Sequence, residues 1–292
     1  MAVDNKFPGK DVTSEDLKTK IPLVHNYKPN VVNICGVKFG GKKIPVMAGP
    51  NMVESEDLIV KTAKAVKKGG ASFLRGGAFK PLSFPYRSKK YNESGINGLN
   101  WLNTAKKEAD IPVITEIMES KYLDLMVDVA DIMQIGSRNM QNYPLIQDVA
   151  STKKPIMLKR HYGASLRDWL GAAEYAILGG CKHIILCERG MSVPHTHRSS
   201  SRYLLDLQVI PAIKEITSIP IASDPSHATF WRNWVPPMSL ASIASGADSI
   251  MLEVHPDPDN AAVDPLQPIN FNSFKRLMRE MNKVAIAIGK SV

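Results

Sequence analysis

Pro155-Ile-Met-Leu-Lys-Arg160 and His183-Ile-Ile-Leu-Cys-Glu-Arg189 are short apolar runs that end on charged residues, and Ser165 to Leu178 between them has helical apolar spacing. An unbroken apolar run of this length suits a strand buried on both faces, as in a parallel sheet covered by helices. The same unit recurs in both directions along the chain. Ile44-Pro-Val-Met-Ala48, Ser72-Phe-Leu-Arg-Gly76, Pro112-Val-Ile-Thr-Glu116 and Ile132-Met-Gln-Ile-Gly136 come before it, and Pro220-Ile-Ala-Ser-Asp224 and Ser249-Ile-Met-Leu-Glu-Val254 after it. Eight such units close a (β/α)8 barrel, whose active sites lie at the carboxyl ends of the strands. The expected fold is therefore α/β, a single (β/α)8 TIM barrel.

Helical patterns fall between the runs at 55–66, 98–109, 121–129, 143–150, 165–178, 204–216, 235–245 and 272–288. Ser55 is placed to cap the first and Gly69-Gly70 to stop it. Residues 1–30 show little periodicity and read as an N-terminal arm. Residues 31–46 read as a β-hairpin turning at Gly40-Gly41, running into the first strand and closing the barrel bottom. Residues 44–292 then form the catalytic barrel.

At 292 residues, one barrel of the usual size of about 250 residues plus an extension fits the chain. With 44% hydrophobic and 22% charged residues the composition is that of a globular protein. No apolar run approaches the roughly 20 residues that cross a bilayer, so no membrane role is expected. Met1 to Lys6 lacks the apolar core of a secretory signal, and Cys35, Cys181 and Cys187 form no disulfide framework; a cytoplasmic protein is expected. The net charge of +9 could suit nucleic acid, but the arginines stand singly at strand ends instead of in runs interleaved with aromatics. A concave site for an anionic substrate accounts for them better, because Arg matches phosphate and carboxylate in a bidentate way.

Arg75, Lys80, Arg138, Lys159 and Arg189 each follow a different run. One Lys or Arg at a strand end reads as a surface or salt-bridge cation. Five in equivalent positions read as a mouth built for an anion. His227, Glu253 and Asp264 follow the last two runs and form a second set, suited to a divalent metal or to orienting water and a carbonyl.

These motifs resemble a known family. Ala48-Gly-Pro, Leu74-Arg-Gly-Gly-Ala-Phe-Lys-Pro81, Gln134-Ile-Gly-Ser-Arg-Asn-Met-Gln-Asn142, Leu158-Lys-Arg160, Ile185-Leu-Cys-Glu-Arg-Gly190, Asp224-Pro-Ser-His-Ala228 and Glu253-Val-His-Pro-Asp-Pro258 are similar, in order, to motifs of the 3-deoxy-D-arabino-heptulosonate 7-phosphate (DAHP) synthases, type I beta. That family shares its barrel with the 3-deoxy-D-manno-octulosonate 8-phosphate (KDO8P) synthases. The resemblance implies condensation of phosphoenolpyruvate with an aldehyde sugar phosphate, erythrose 4-phosphate, as the first step of the shikimate pathway. It implies that Arg75, Lys80, Ser137, Arg138, Lys159 and Arg189 hold phosphoenolpyruvate. It also makes His227, Glu253 and Asp264 three of four metal ligands, implies no organic cofactor, and suggests a homodimer or homotetramer.

Three departures from the family pattern bear on the site. Asn51 stands where the heptulosonate synthases carry the fourth metal ligand, a cysteine; among octulosonate synthases this exchange marks the metal-independent enzymes. A neutral amide is a poor substitute for thiolate, so a site working without metal, or holding it weakly, is expected, with Asn51 hydrogen-bonding in the cation's place. Leu82, in Lys80-Pro-Leu-Ser83, stands where the family has an arginine that grips the acceptor, removing a contact worth about 1.5–3 kcal/mol. The loop 191–202 is longer than the family pattern and reads either as a solvated basic loop or as a source of acceptor contacts through His195, His197, Arg198 or Arg202, alongside Pro81 and Ser83.

In this reading Lys80 protonates the nascent alkoxide, and His227, Glu253 and Asp264 orient aldehyde and water. Other readings stay open: a KDO8P-like reaction with arabinose 5-phosphate, an amino-sugar or unphosphorylated acceptor, or a noncatalytic phosphosugar-binding barrel. The arm is too short for a ferredoxin-like regulatory module, so feedback inhibition by an aromatic amino acid is not expected.

Overall fold

A computed structural model describes residues 19–79, 93–194, 197 and 203–292. The chain enters through α1 (Pro22–His25) and a two-stranded antiparallel hairpin, β1 (Val32–Ile34) and β2 (Val37–Phe39). The hairpin turns at Cys35-Gly36, both at positive φ, and not at the expected Gly40-Gly41. Two successive positive-φ residues give a turn whose twist matches that of the strands, and Gly36 takes the second position without Cβ strain. Phe39 is fully buried, with its ring 5.7 Å from that of Phe73, so the hairpin packs at the amino-terminal end of the barrel.

The end of the N-terminal arm is docked on the barrel. Leu23 and Val24 donate their backbone N–H groups to Glu174, and the Tyr27 hydroxyl donates to the carbonyl of Lys182. Residues 1–18 lie outside the described residues.

The barrel strands are β3 (Val46–Gly49), β4 (Phe73–Arg75), β5 (Val113–Ile117), β6 (Ile132–Ile135), β7 (Ile156–Lys159) and β8 (Ile184–Glu188). A short antiparallel pair follows, β9 (Met191–Ser192) with β10 (Tyr203–Leu204), before β11 (Ile221–Ser223) and β12 (Ser249–Glu253) complete the set. All eight barrel strands pair in parallel and close in the order β11-β12-β3-β4-β5-β6-β7-β8. Every residue in them is buried except the half-buried Glu116, which is why they read as unbroken apolar runs.

Helices α2 (Glu56–Lys68), α3 (Gly95–Ala109), α4 (Leu123–Val127), α5 (Tyr143–Ser151), α6 (Leu166–Leu178), α7 (Val209–Ile216), α8 (Pro225–Thr229), α9 (Val235–Ala244) and α10 (Phe271–Ala287) connect and cover the strands. Their ends follow local chemistry. Ser55 accepts the Leu58 N–H at the start of α2, with Glu56 and Asp57 in its first turn and Lys67 and Lys68 in its last. A capping box between Ser165 and Asp168 starts α6.

Two helices are shorter than their patterns. The 121–129 pattern divides into a 3-10 turn at 120–122 and α4, and the 204–216 pattern loses its start because Leu204 pairs in β10. Trp169 of α6 is fully buried and donates its Nε1–H to the carbonyl of Leu158 at 3.2 Å, fixing the end of β7. Its replacement by Ala would cost about 3–5 kcal/mol.

Candidate active site

Arg75 and Lys159 are the last residues of β4 and β7, Arg189 directly follows β8, Glu253 ends β12, and Asp224 follows β11. Barrel closure brings these ends together, and all five side chains are buried. Charges removed from water must be paired, and Arg75, Lys159, Asp224 and Glu253 are paired within one network.

Lys159 Nζ donates to Asp224 Oδ2 at 2.5 Å, and His227 Nδ1 lies 2.7 Å from the same oxygen. Asp224 also caps α8, accepting the His227 N–H on Oδ1 at 3.2 Å. On its other side His227 Nε2 is 3.0 Å from Glu253 Oε1, which accepts from Gln267 Nε2 at 2.6 Å and lies 3.3 Å from Arg75 Nη1. Arg75 Nη2 donates to Asn51 Oδ1 at 3.1 Å, and Asn51 Nδ2 donates to Asp264 Oδ2 at 2.9 Å. The result is one continuous network, Lys159–Asp224–His227–Glu253–Arg75–Asn51–Asp264. Burial alone would raise the pKa of the Asp224 carboxyl, but His227, Lys159 and, farther away, Arg75 outweigh it and hold that pKa well below the usual carboxylate range.

A second buried group supports the ends of β7 and β8. Arg160 Nη1 contacts Glu188 Oε2 at 3.2 Å and Asp206 Oδ2 at 2.9 Å, while Glu188 Oε1 accepts the Gly190 N–H at 2.7 Å. Burial pushes the Glu188 carboxyl pKa up, and Arg160 opposes the rise. Arg189 lies between the two groups. Its Nη2 approaches the carbonyl of His227 at 3.5 Å, and its guanidinium carbon lies 4.4 Å from the centre of the Tyr203 ring.

The remaining sequence-derived residues divide as follows. Ser137, half-buried, and Arg138, exposed, form a 3-10 turn (137–139) after β6, so Arg138 stands at the outer rim and not among the buried cations. Lys80, Pro81, Leu82, Ser83, His195, Arg198 and Arg202 lie outside the described residues. His197 sets its ring edge-on to Trp234, with centroids 6.3 Å apart.

His227, Glu253 and Asp264 do not converge as a ligand set. The first two touch, whereas Asp264 joins the network through Asn51, and among the described residues no three His, Cys, Asp or Glu side chains are arranged to hold a metal. A permanent guanidinium charge already serves Glu253 and Asn51, and Asn51 turns its NH2 donor toward Asp264. In this arrangement the described donors are turned to protein partners and not to the common centre that a bound transition metal would need.

The sequence profile of the DAHP synthetase I family matches residues 24–289. The chain belongs to the DAHP synthetase I family. Within reach of this family, the chain is 38% identical over 295 aligned residues to the phospho-2-dehydro-3-deoxyheptonate aldolase of Thermotoga maritima, covering 99% of this chain and 86% of that protein. A more distant relative is the 2-dehydro-3-deoxyphosphooctonate aldolase of Methylococcus capsulatus, 28% identical over 79% of this chain and 85% of its own.

Two solved structures of Thermotoga maritima proteins share the family's barrel. The crystal structure of its phospho-2-dehydro-3-deoxyheptonate aldolase matches with a TM-score of 0.85 at 37% identity, covering 92% of this chain and 76% of that one. The truncated form of its 3-deoxy-D-arabino-heptulosonate 7-phosphate synthase matches at 0.84 and 36% identity, covering 94% and 99%.

Sequence reasoning gave no role to Asp224 or Gln267, two partners that hold the family's histidine and glutamate in place here. Asp224 carried a readable signal: an acidic residue before Pro225, three positions ahead of His227, is a helix N-cap pattern. Gln267 had none, because its partner Glu253 is set by the return of the chain after the 254–264 loop.

Proposed function

We propose that the barrel mouth condenses phosphoenolpyruvate with erythrose 4-phosphate and releases inorganic phosphate, and that fixed protein charges do this without a bound metal. The reading rests above all on the buried network from Lys159 to Asp264, in a chain of the DAHP synthetase I family. An enzyme of this family is a transferase, and its product enters aromatic amino-acid synthesis through the shikimate pathway.

The chemistry balances as follows. C3 of phosphoenolpyruvate attacks the aldehyde carbon, whose oxygen takes a proton. Water adds at C2 and gives up a proton, and the hemiketal phosphate loses phosphate by C–O cleavage, leaving the 2-keto acid. Positive charge develops at C2 and negative charge at the aldehyde oxygen, so preorganised ions are the main lever. Arg75, Lys159 and Arg189, with Ser137 and Arg138 from the rim, would fix the phosphate and carboxylate of phosphoenolpyruvate and make the encounter effectively unimolecular. Lys80 would protonate the new alkoxide. His227, held between Asp224 and Glu253, would orient the attacking water, while Asn51 and Asp264 would face the aldehyde.

Arg75 supports the metal-free reading, because its guanidinium bridges Asn51 and Glu253, where the family's cation would need their lone pairs. A second reading concerns the acceptor. Leu82 in place of an arginine favours an aldehyde that makes less use of its phosphate, such as an amino sugar or unphosphorylated sugar; arabinose 5-phosphate belongs to the same comparison because of Asn51. No described helix is long and apolar enough to cross a membrane. A cytoplasmic homodimer or homotetramer is the assembly proposed.

A panel of aldehydes scored by phosphate release and product mass tests this reading. Turnover with erythrose 4-phosphate above all other aldehydes is expected. Turnover with only a different aldehyde would move the chain to the second reading, and binding of phosphoenolpyruvate without turnover on any aldehyde would make it a noncatalytic barrel.

A further inference from the structure

Arg189 is one of the buried cations of the mouth, yet among the described residues no carboxylate lies within ion-pair distance of it. Its guanidinium instead lies over the face of Tyr203, 4.4 Å from the ring centre, within the range of an attractive cation–π contact. Tyr203 is not near Arg189 by chance of sequence. The antiparallel pair β9–β10 folds the chain back so that Tyr203 sits opposite Ser192, and the Ser192 N–H donates to the carbonyl of Tyr162 at 2.8 Å, tying the pair to the loop after β7.

Gly190 makes the approach close. A Cβ at Gly190 would lie 2.7 Å from the Tyr203 Cβ and 3.0 Å from the Ala228 Cα, and φ at Gly190 is +105°. The ring stack continues outward, with Tyr162 5.5 Å from Tyr203 and His161 4.0 Å from Tyr162.

We propose that Tyr203 is a positioning residue for the anionic substrate: its ring holds the Arg189 guanidinium in place without neutralising it. The distinction is physical. A carboxylate in the same place would fix Arg189 just as well but would consume the charge that must meet a phosphate or carboxylate. An aromatic face orients the cation and leaves its N–H groups available, because the ring quadrupole carries no net charge. The proposal deepens the reading of Arg189 as a phosphoenolpyruvate contact and rests on it.

The test compares Tyr203→Phe, Tyr203→Leu and Arg189→Ala, with equilibrium phosphoenolpyruvate binding by calorimetry and steady-state kinetics at saturating erythrose 4-phosphate. Thermal melts check that each variant is folded. Tyr203→Phe keeps the ring and is expected to keep the KM for phosphoenolpyruvate. Tyr203→Leu fills similar space without a π face, and is expected to raise that KM and the dissociation constant about three- to tenfold, the scale of one desolvated cation–π contact, with kcat changed less than about twofold. In the Arg189→Ala background, Tyr203→Leu is expected to add nothing.

A Leu variant equal to the parent, a Phe variant as weak as Leu, or additive losses in the double variant would overturn the positioning role while leaving the Arg189 assignment intact. Unchanged phosphoenolpyruvate binding in Arg189→Ala alone would overturn the substrate assignment itself, and the positioning role with it.

Discussion

The carboxyl-terminal end of the barrel handles charge in two different ways. In its interior, Lys159 and Arg75 are compensated by Asp224, Glu253 and, through Asn51, Asp264, with His227 between. Outside that network, Arg138 is exposed at the rim and the buried Arg189 rests on an aromatic ring. The interior network fixes its side chains by mutual pairing, and under the proposed function Arg138 and Arg189 would meet the incoming anion. Buried ion pairs contribute geometry at a high desolvation cost, whereas a charge-assisted contact to a ligand contributes affinity.

The largest expected effect comes from breaking the interior. Lys159→Met should lower kcat about 100- to 1000-fold, as loss of a preorganised charge at a reacting centre does. It should also lower stability by about 3–5 kcal/mol, because the Asp224 carboxylate stays buried without its ammonium partner. Turnover assays and denaturant unfolding measure the two effects, and a variant that lost activity but kept its stability would mean that Lys159 is not part of a structural unit with Asp224.

The rim should respond in the opposite pattern. Arg138→Ala is expected to raise the KM for phosphoenolpyruvate about tenfold or more, the loss of one charge-assisted contact. Its unfolding free energy should stay within about 0.5 kcal/mol of the parent, because the side chain is exposed. A large stability loss from Arg138→Ala would erase the contrast between interior and rim.

A smaller effect sharpens the support beneath both regions. The Glu188 pKa is raised in the folded chain by burial, with Arg160 opposing. Such a group contributes stability that is full below its unfolded pKa of about 4.3 and is lost as pH rises through its higher folded value. Parent and Glu188→Gln, compared by urea unfolding at several pH values between 4 and 7, should therefore differ most in the parent's favour at the acidic end. A difference that does not change with pH would show that Glu188 titrates alike in both states.

Much of the barrel was legible in the sequence because each of its strands is buried on both faces, leaving an apolar run with little alternation to confuse it. The helix starts at Ser55 and Ser165 were legible for a different, local reason, a serine side chain that accepts a backbone N–H of the first turn. The hairpin turn was misplaced because Gly40-Gly41 is the stronger turn signal by composition, while the actual turn places a non-glycine residue, Cys35, at positive φ. The start of α7 was missed because Leu204 and Asp206 are used elsewhere, one pairing with Met191 and the other binding Arg160.

At the barrel mouth, the strand-end positions of Arg75, Lys159, Arg189 and Glu253 were readable but the pairings were not. Asp224 joining Lys159 to His227, and Tyr203 seating Arg189, arise from barrel closure and from a loop returning on itself, and neither follows from sequence spacing.

If the family's condensation runs here on fixed protein charges, as proposed, turnover needs no metal. Enzyme stripped of metal with a strong chelator, then given carbon-13-labelled phosphoenolpyruvate and erythrose 4-phosphate with chelator still present, tests it most directly. One phosphate released per labelled seven-carbon 3-deoxy-2-ulosonate phosphate formed is expected, at a rate within about twofold of untreated enzyme. Loss of product on chelation, with recovery on adding a divalent first-row metal, would contradict it.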